Sequence, residues 1–239
     1  MDNYSNNLDY LMTLIKMKTS KYVCFANAHM IVEAAQNKKF ASILHSSDAI
    51  FMDGMSLVLA NRLLNNDIRS SRFAGMDVIH DLILRAEKDS FSVFFYGSSE
   101  TNLEKLANYL KINFPKLKIA GMLSPPYRVL TDFEKKEYFE YINQTKADIL
   151  FVSLGCPKQE IWMNEMKNKI NCVMLGVGNA FLTLSGQERR SPKWMQKIGL
   201  EWLFRLIQEP QRLWKRYLFT NTYFIYLFFK YKFLNSKHE

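Results

Sequence analysis

Six short runs rich in β-branched and aromatic residues recur along the chain: Tyr22–Ala26, Ala49–Met52, Phe91–Tyr96, Leu117–Gly121, Asp148–Leu154 and Cys172–Gly176. Four of them are nearly continuous in apolar residues, without in–out alternation. That is the pattern of strands whose two faces are both covered by helices. Helical spacing fills the intervals over Ala28–Asn37, Met55–Leu64, Asp77–Lys88, Thr101–Asn113, Asp132–Gln144 and Lys158–Lys169. Thr131 with Glu134 three residues on has the form of a capping box, and Ser99 is placed to cap the helix that follows Gly97. This alternation predicts an α/β fold with a doubly wound, mainly parallel, Rossmann-like sheet.

The pattern breaks once, near 187–195, where Glu188-Arg189-Arg190-Ser191-Pro192 precedes Trp194. A second stop falls at Glu209-Pro210, because proline disfavours helix in the residue before it and suits the first turn of the helix after it. We therefore expect a core over 1–190 and a helical appendage of two or three helices over 191–239. Residues 187–239 hold eleven Lys or Arg against four acids, and so carry most of the formal net charge of +9. Ten aromatics fall between Trp214 and Phe233. A basic, aromatic strip of this kind meets phosphate, on lipid headgroups or on nucleic acid.

The longest apolar stretch, Tyr217–Phe229, is interrupted by Thr220-Asn221-Thr222 and falls short of the roughly 18–20 residues that span a bilayer. Residues 1–8 are polar and carry Asp2 rather than a basic leader, so no secretory signal is expected. Cys24, Cys156 and Cys172 show neither disulfide nor zinc spacing and are expected as small core residues.

Ligands of open α/β sheets bind beyond the carboxyl ends of the strands. Five turns fall there: Phe25–His29, Asp53-Gly54, Gly97-Ser98-Ser99, Gly155–Glu160 and Gly176–Ala180. Asp53, at a strand end and followed by glycine, is the best general-base candidate, with a helix cap as the competing reading. The turns at Gly97, Gly155 and Gly176–Gly178 put small residues before helices, where backbone N–H groups meet phosphate. No P-loop or full dinucleotide fingerprint is present. His29 lies at the predicted crevice, whereas His45, His80 and His238 read as surface or packing residues. No metal-ligand spacing and no D-x-D appear.

These turns line up with a known family. Asn27-Ala28, Asp53-Gly54-Met55, the run Arg72–Asp77, Gly97, the run Leu154–Glu160, Gly176-Val177-Gly178 and Pro192-Lys193-Trp194 resemble landmarks of the WecG/TagA/CpsF glycosyltransferases. So do Gly199–Leu206 and Glu209–Tyr217 in the tail, and the resemblance covers roughly 22–230. It implies transfer of a sugar from a UDP-sugar to a polyprenyl (undecaprenyl) diphosphate-linked acceptor at the cytoplasmic face of a bacterial membrane, in cell-surface polysaccharide synthesis. It also implies inversion at the anomeric carbon, no metal or other cofactor, Asp53 as base, and a membrane-docking appendage that helps complete the site. Phe25 departs from the family, where many members have Thr, and His29 stands where an acid is frequent; both point to a different sugar.

On this reading Asp53 deprotonates the acceptor hydroxyl as it attacks the anomeric carbon, and UDP leaves. Arg205 and Arg212, backed by Arg72 and Lys158, are the candidates for clamping diphosphate. Asn27 positions the transferred sugar, Gln159 hydrogen-bonds uracil, ribose or sugar, and Asp77 serves the start of its helix. The tail is an interfacial anchor on anionic lipid, or a protein–protein surface that includes self-association. Competing readings are a nucleic-acid-binding protein, a nucleotide-dependent oxidoreductase and a catalytically inactive membrane scaffold.

Overall fold

A computed structural model describes residues 3–235. Asp2 at the amino end, and Lys237, His238 and Glu239 of the tail, lie outside the described residues. In chain order the first half contains α1 (Asn3–Lys16), β1 (Lys21–Ala26), α2 (Ala28–Gln36), α3 (Lys38–His45), β2 (Ala49–Met52), α4 (Met55–Asn65) and α5 (Gly75–Asp89). There follow β3 (Ser92–Gly97), α6 (Glu100–Asn113), β4 (Lys118–Leu123), α7 (Asp132–Gln144), β5 (Ile149–Ser153), α8 (Lys158–Met166) and β6 (Val173–Gly176). The chain ends in α9 (Ala180–Leu184), α10 (Lys193–Lys197), α11 (Glu201–Gln208) and α12 (Pro210–Asn235).

The strands form one sheet in the order β2-β1-β6-β5-β3-β4, and every neighbouring pair is parallel. Successive side chains on a strand point to opposite faces, so each run feeds two cores. Val23, Phe25, Val93, Phe95, Ile149, Phe151, Val173 and Leu175 pack beneath α1, α5, α6 and α9. Tyr22, Cys24, Phe94, Tyr96, Leu150, Val152 and Met174 pack beneath α2, α3, α7 and α8. Both registers are apolar because both are buried, which is why the runs lack alternation. Cys24 and Cys172 belong to the second core.

Three helices lie outside the predicted set: α1, α3 and the five-residue α9. In α1 the sequence opens on Asn-Tyr-Ser-Asn-Asn, yet Leu8, Leu11, Met12 and Ile15 recur at helical spacing and are buried in the first core. Tyr4 donates to Asp81 at 2.6 Å and Arg85 pairs with Asp9 at 2.7 Å, tying α1 to α5. The short α3 starts at Asn37, whose side chain accepts from the amides of Lys39 and Phe40. The expected caps at Ser99 and Thr131 are present, the second as a full capping box. The tail forms three helices, and α12 begins at Pro210. It packs on α2 and α11, with Leu213 and Thr220 buried. Among the described residues, no helix is long and apolar enough to cross a membrane.

Candidate active site

The sheet order sets the predicted turns side by side along its carboxyl edge. Read across the sheet, Asp53 follows β2, Asn27 follows β1, Gly176 ends β6 with Gly178 two residues on, Gly155 follows β5 and Gly97 ends β3. Asp53 is anchored by its own backbone, since its N–H donates to the Ala26 carbonyl at 2.8 Å. It does not cap α4: that helix begins at Met55 after Gly54, with no side-chain cap. The carboxyl group is therefore left for other work.

Its surroundings come from three places. Residues 72–73 run beside the end of β2, with the Phe73 amide donating to the Met52 carbonyl at 2.8 Å. That contact aims Arg72 at the crevice. Arg72 donates from Nε to the Asp53 carbonyl at 2.7 Å, and its Nη2 meets Glu201 of α11 at 2.7 Å. The same Nη2 stands 3.9 Å from Asp53 Oδ1, while Nη1 lies 3.4 Å from Asp77. Asp77, in the first turn of α5, also pairs with Arg190 at 2.6 Å. Arg205 completes the group, 3.5 Å from Glu201 one turn earlier on α11. Gly199 puts α11 here: a Cβ on it would stand 3.3 Å from Met55, just beyond Asp53-Gly54.

Three carboxylates thus face three guanidiniums, so local charge nearly cancels. Removal from water then decides the titration of Asp53, pushing its pKa up from 3.8 to about 6. Arg72 and Arg205 oppose the rise, and Glu201 and Asp77 add to it. The side chain remains 31% accessible, so the carboxylate sits among protein yet open to a ligand. Arg72 is directed to Glu201 and to the peptide carbonyl, and it leaves Asp53 without a short ion pair. A carboxylate that is poised near neutrality and not locked in a salt bridge has the properties of a general base.

Asn27 caps α2 by accepting from the Met30 amide at 3.2 Å. It also lies against the turn that carries Asp53, since a Cβ on Gly54 would lie 3.6 Å from that of Asn27. His29, two residues on, is 3.9 Å from Glu33. Burial lowers its pKa and Arg216 of α12 adds to the lowering, against Glu33 and a hydrogen bond to the Cys156 backbone. The neutral imidazole is thereby favoured.

The remaining predicted residues serve more than one purpose. Gln159 is buried and fully engaged: its amide nitrogen donates to Glu160 and to the Gly176 carbonyl at 3.0 Å, and its oxygen accepts from the Gly178 amide at 3.0 Å. It fastens the β6 turn to α8, so the Gly178 N–H faces protein. Gly176 permits this approach, because a Cβ there would stand 2.7 Å from Met163 and 3.0 Å from Gln159. Gly97 has φ +113°, and a Cβ on it would meet the Ser153 carbonyl oxygen at 2.4 Å. Gly155 opens the turn before α8, where Lys158 is exposed and lies 4.3 Å over the Tyr127 ring. Arg212, 61% exposed, is held by Glu209 at 2.6 Å, so of the two expected clamp residues only Arg205 joins the Asp53 group.

Phe25 does not enter the crevice. It is 4% exposed, packs with Phe51 and Phe73, and lies against Gly75, where a Cβ would stand 3.2 Å from its ring. Glycine at 75 makes room for the Phe25 ring.

Arg190 and Glu201 were not among the predicted site residues. Both sit in the segment assigned to surface charge, and the available signal was that Glu201 is one of four acids in a strongly basic tail. Arg190 Nε and Nη2 and the Ser191 hydroxyl are buried without a protein partner. Arg190, Ser191, Glu201 and Arg205 line a cavity of ≈ 20 Å³, enough for about one water. Among the described residues no three His, Cys, Asp or Glu side chains form a metal-binding group.

The sequence profile described as the Glycosyl transferase WecG/TagA/CpsF family matches residues 2–238. A protein of Bacillus subtilis (strain 168) named N-acetylglucosaminyldiphosphoundecaprenol N-acetyl-beta-D-mannosaminyltransferase is 32% identical over 218 residues, covering 90% of this chain and 82% of its own. A protein of the same name from Bacillus spizizenii (strain ATCC 23059 / NRRL B-14472 / W23) is 30% identical over 207 residues, covering 86% of this chain and 78% of its own. With the carboxyl-edge crevice and the tail helices that reach it, these matches establish that the chain belongs to the WecG/TagA/CpsF family of glycosyltransferases.

Proposed function

We propose that this protein transfers a sugar from a UDP-sugar to a polyprenyl diphosphate-linked saccharide, with inversion at the anomeric carbon and Asp53 as general base. The observation that carries the reading is Asp53 itself, open at the carboxyl edge, raised to about 6, and held by its backbone rather than by a salt bridge. In one displacement its carboxylate takes the proton from the acceptor hydroxyl as that oxygen forms the new bond to the anomeric carbon. The bond to UDP breaks on the opposite side, and the electron pair leaves on the diphosphate. Arg205 and Arg72 stand next to the base and supply positive charge for that leaving group. Arg216 and Arg212, on the first turns of α12, extend the cationic surface past His29.

The relatives' names supply the acceptor class, and the tail supplies the means of meeting it. Lys193, Trp194, Lys197 and Ile198 are exposed on α10, as are Trp214 and Leu218 on α12. Cations beside large apolar side chains suit a peripheral helix at an anionic membrane surface. On this reading residues 1–190 form the catalytic core and residues 191–239 an appendage that docks on the membrane and also closes the site through Glu201 and Arg205.

The test is a panel of UDP-sugars with diphosphate-linked saccharide acceptors on short prenyl chains, in EDTA, read by mass spectrometry. A new glycolipid that is lost in Asp53→Asn, with the anomeric proton's NMR coupling showing inversion relative to the donor, supports the assignment. No product from any donor, with the protein folded, overturns it.

A further inference from the structure

Next to the Asp53 crevice an apolar groove of ≈ 640 Å³ runs between α2, α4 and α12. We propose that this groove holds the isoprenoid chain of the acceptor lipid, so that the enzyme binds the tail of its substrate as well as the diphosphate-linked sugar. The inference rests on the transferase reading above and adds a lipid-tail site to it.

Three observations commit the groove to this occupant. The first is continuity. Met52, which lines it, is the residue immediately before Asp53, and Leu57 lies in the first turn of the helix that starts beside the base. A chain leaving a diphosphate at the Arg205 end of the crevice therefore meets apolar surface at once.

The second is the lining. Ile31 and Ala34 from α2, Ala60 and Leu64 from α4, and Phe224 and Leu227 from α12 present hydrocarbon. The polar side chains among the walls are turned to one another, since Asn65 donates to Asn61 at 2.7 Å and Asn61 donates to Ser70. The volume is within the range of about 300–1,000 Å³ usual for small-molecule sites. It has room for the isoprene units nearest the diphosphate and leaves the far end of a long chain to the bilayer.

The third is the distribution of charge along the tail helices. Arg205, Arg212, Lys215 and Arg216 lie toward the start of the pair α11–α12, whereas the stretch of α12 that walls the groove carries the single lining cation Lys230. Cationic at one end and apolar along its length, this surface complements an amphiphile with an anionic head and a hydrocarbon tail.

The experiment compares two acceptors that carry the same diphosphate-linked saccharide, one on a long polyprenyl chain and one on a short alkyl stub, in detergent below membrane conditions. Ala60→Trp on α4 and Ala35→Trp on α2 fill the groove from opposite walls. The expected result is a rise of at least about tenfold in KM for the long-chain acceptor, with the donor KM and turnover of the stub acceptor unchanged. An unchanged KM for the long chain in both folded variants overturns the proposal. So does a parallel loss of vesicle binding, which would make the groove a membrane-contact face, or a loss of self-association without a KM effect, which would assign it to a second copy of the chain.

Should no donor yield product, a polyprenyl diphosphate bearing a photoreactive group near its head tests the groove alone. Crosslinks on α2, α4 and the 224–234 segment would uphold the groove while the transferase assignment falls. Crosslinks elsewhere would overturn the groove.

Discussion

At the residue scale the site turns on how Arg72 divides its bonds. Its guanidinium makes its short contacts with the Asp53 carbonyl and with Glu201, while the Asp53 carboxylate stays 3.9 Å away. Glu201→Gln removes the competing anion and frees Arg72 to close on Asp53. The Asp53 pKa then falls, and the acid limb of kcat/KM against pH moves to lower pH. An unmoved limb would show that Glu201 does not tune the base. Asp53 also limits stability. Its folded pKa of about 6 lies above the unfolded value near 3.8, so the stability contributed by the neutral form is full below pH 4 and is lost as pH rises through 6. Asp53→Asn should therefore match the wild type in thermal stability near pH 4. At pH 8 it should exceed it by up to about 3 kcal/mol, two pKa units at 1.4 kcal/mol each. Gln159 is the opposite case. Gln159→Leu strands the buried Gly176 carbonyl and removes the acceptor of the part-buried Gly178 N–H, and should lower stability by about 1–3 kcal/mol, read as a fall in Tm.

Elements explain which predictions were legible. The six strands could be read because burial on both faces forces apolar residues into both registers, and the parallel order then aligns their carboxyl ends whatever the loops contain. The segment α1 was not legible in its polar opening, because its helical stripe begins only at Leu8 and its hold on α5 depends on partners 76 and 77 residues away in sequence, Arg85 and Asp81. The tail gave up its breaks through Pro192 and Pro210 and Arg205 as a residue of the site, but not the parts of Arg190 and Glu201. Glu201 and Arg190 face the crevice only because the chain turns at Gly199 and because α5 begins at Gly75 against Phe25. Nothing local in sequence encodes that meeting. The same long-range packing takes Phe25 out of the crevice and into the layer under the site. For α10 the expectation is interfacial: Lys193→Gln combined with Lys197→Gln should weaken binding to anionic vesicles roughly ten- to thirtyfold at low salt. Each cation near such a surface contributes about 1 kcal/mol. Equal binding by the variant and wild type would remove α10 from the membrane contact.

For the whole molecule, the tail helices wall the Asp53 crevice and, on the proposed reading, also carry the docking surface. Glu201 and Arg205 reach Arg72 and the field of Asp53, while α12 covers α2 and forms one side of the apolar groove. Core and tail helices are thereby coupled through a single charge network, with Asp53 at its centre. The central claim is that Asp53 is that base, and the pH dependence of kcat/KM tests it most directly once a donor is in hand. An ascending limb with its midpoint near 6, with transfer reduced at least about a hundredfold across the range in Asp53→Asn, is the predicted result. A profile flat from pH 5 to 8, or an Asp53→Asn variant that transfers sugar at the wild-type rate, would contradict it.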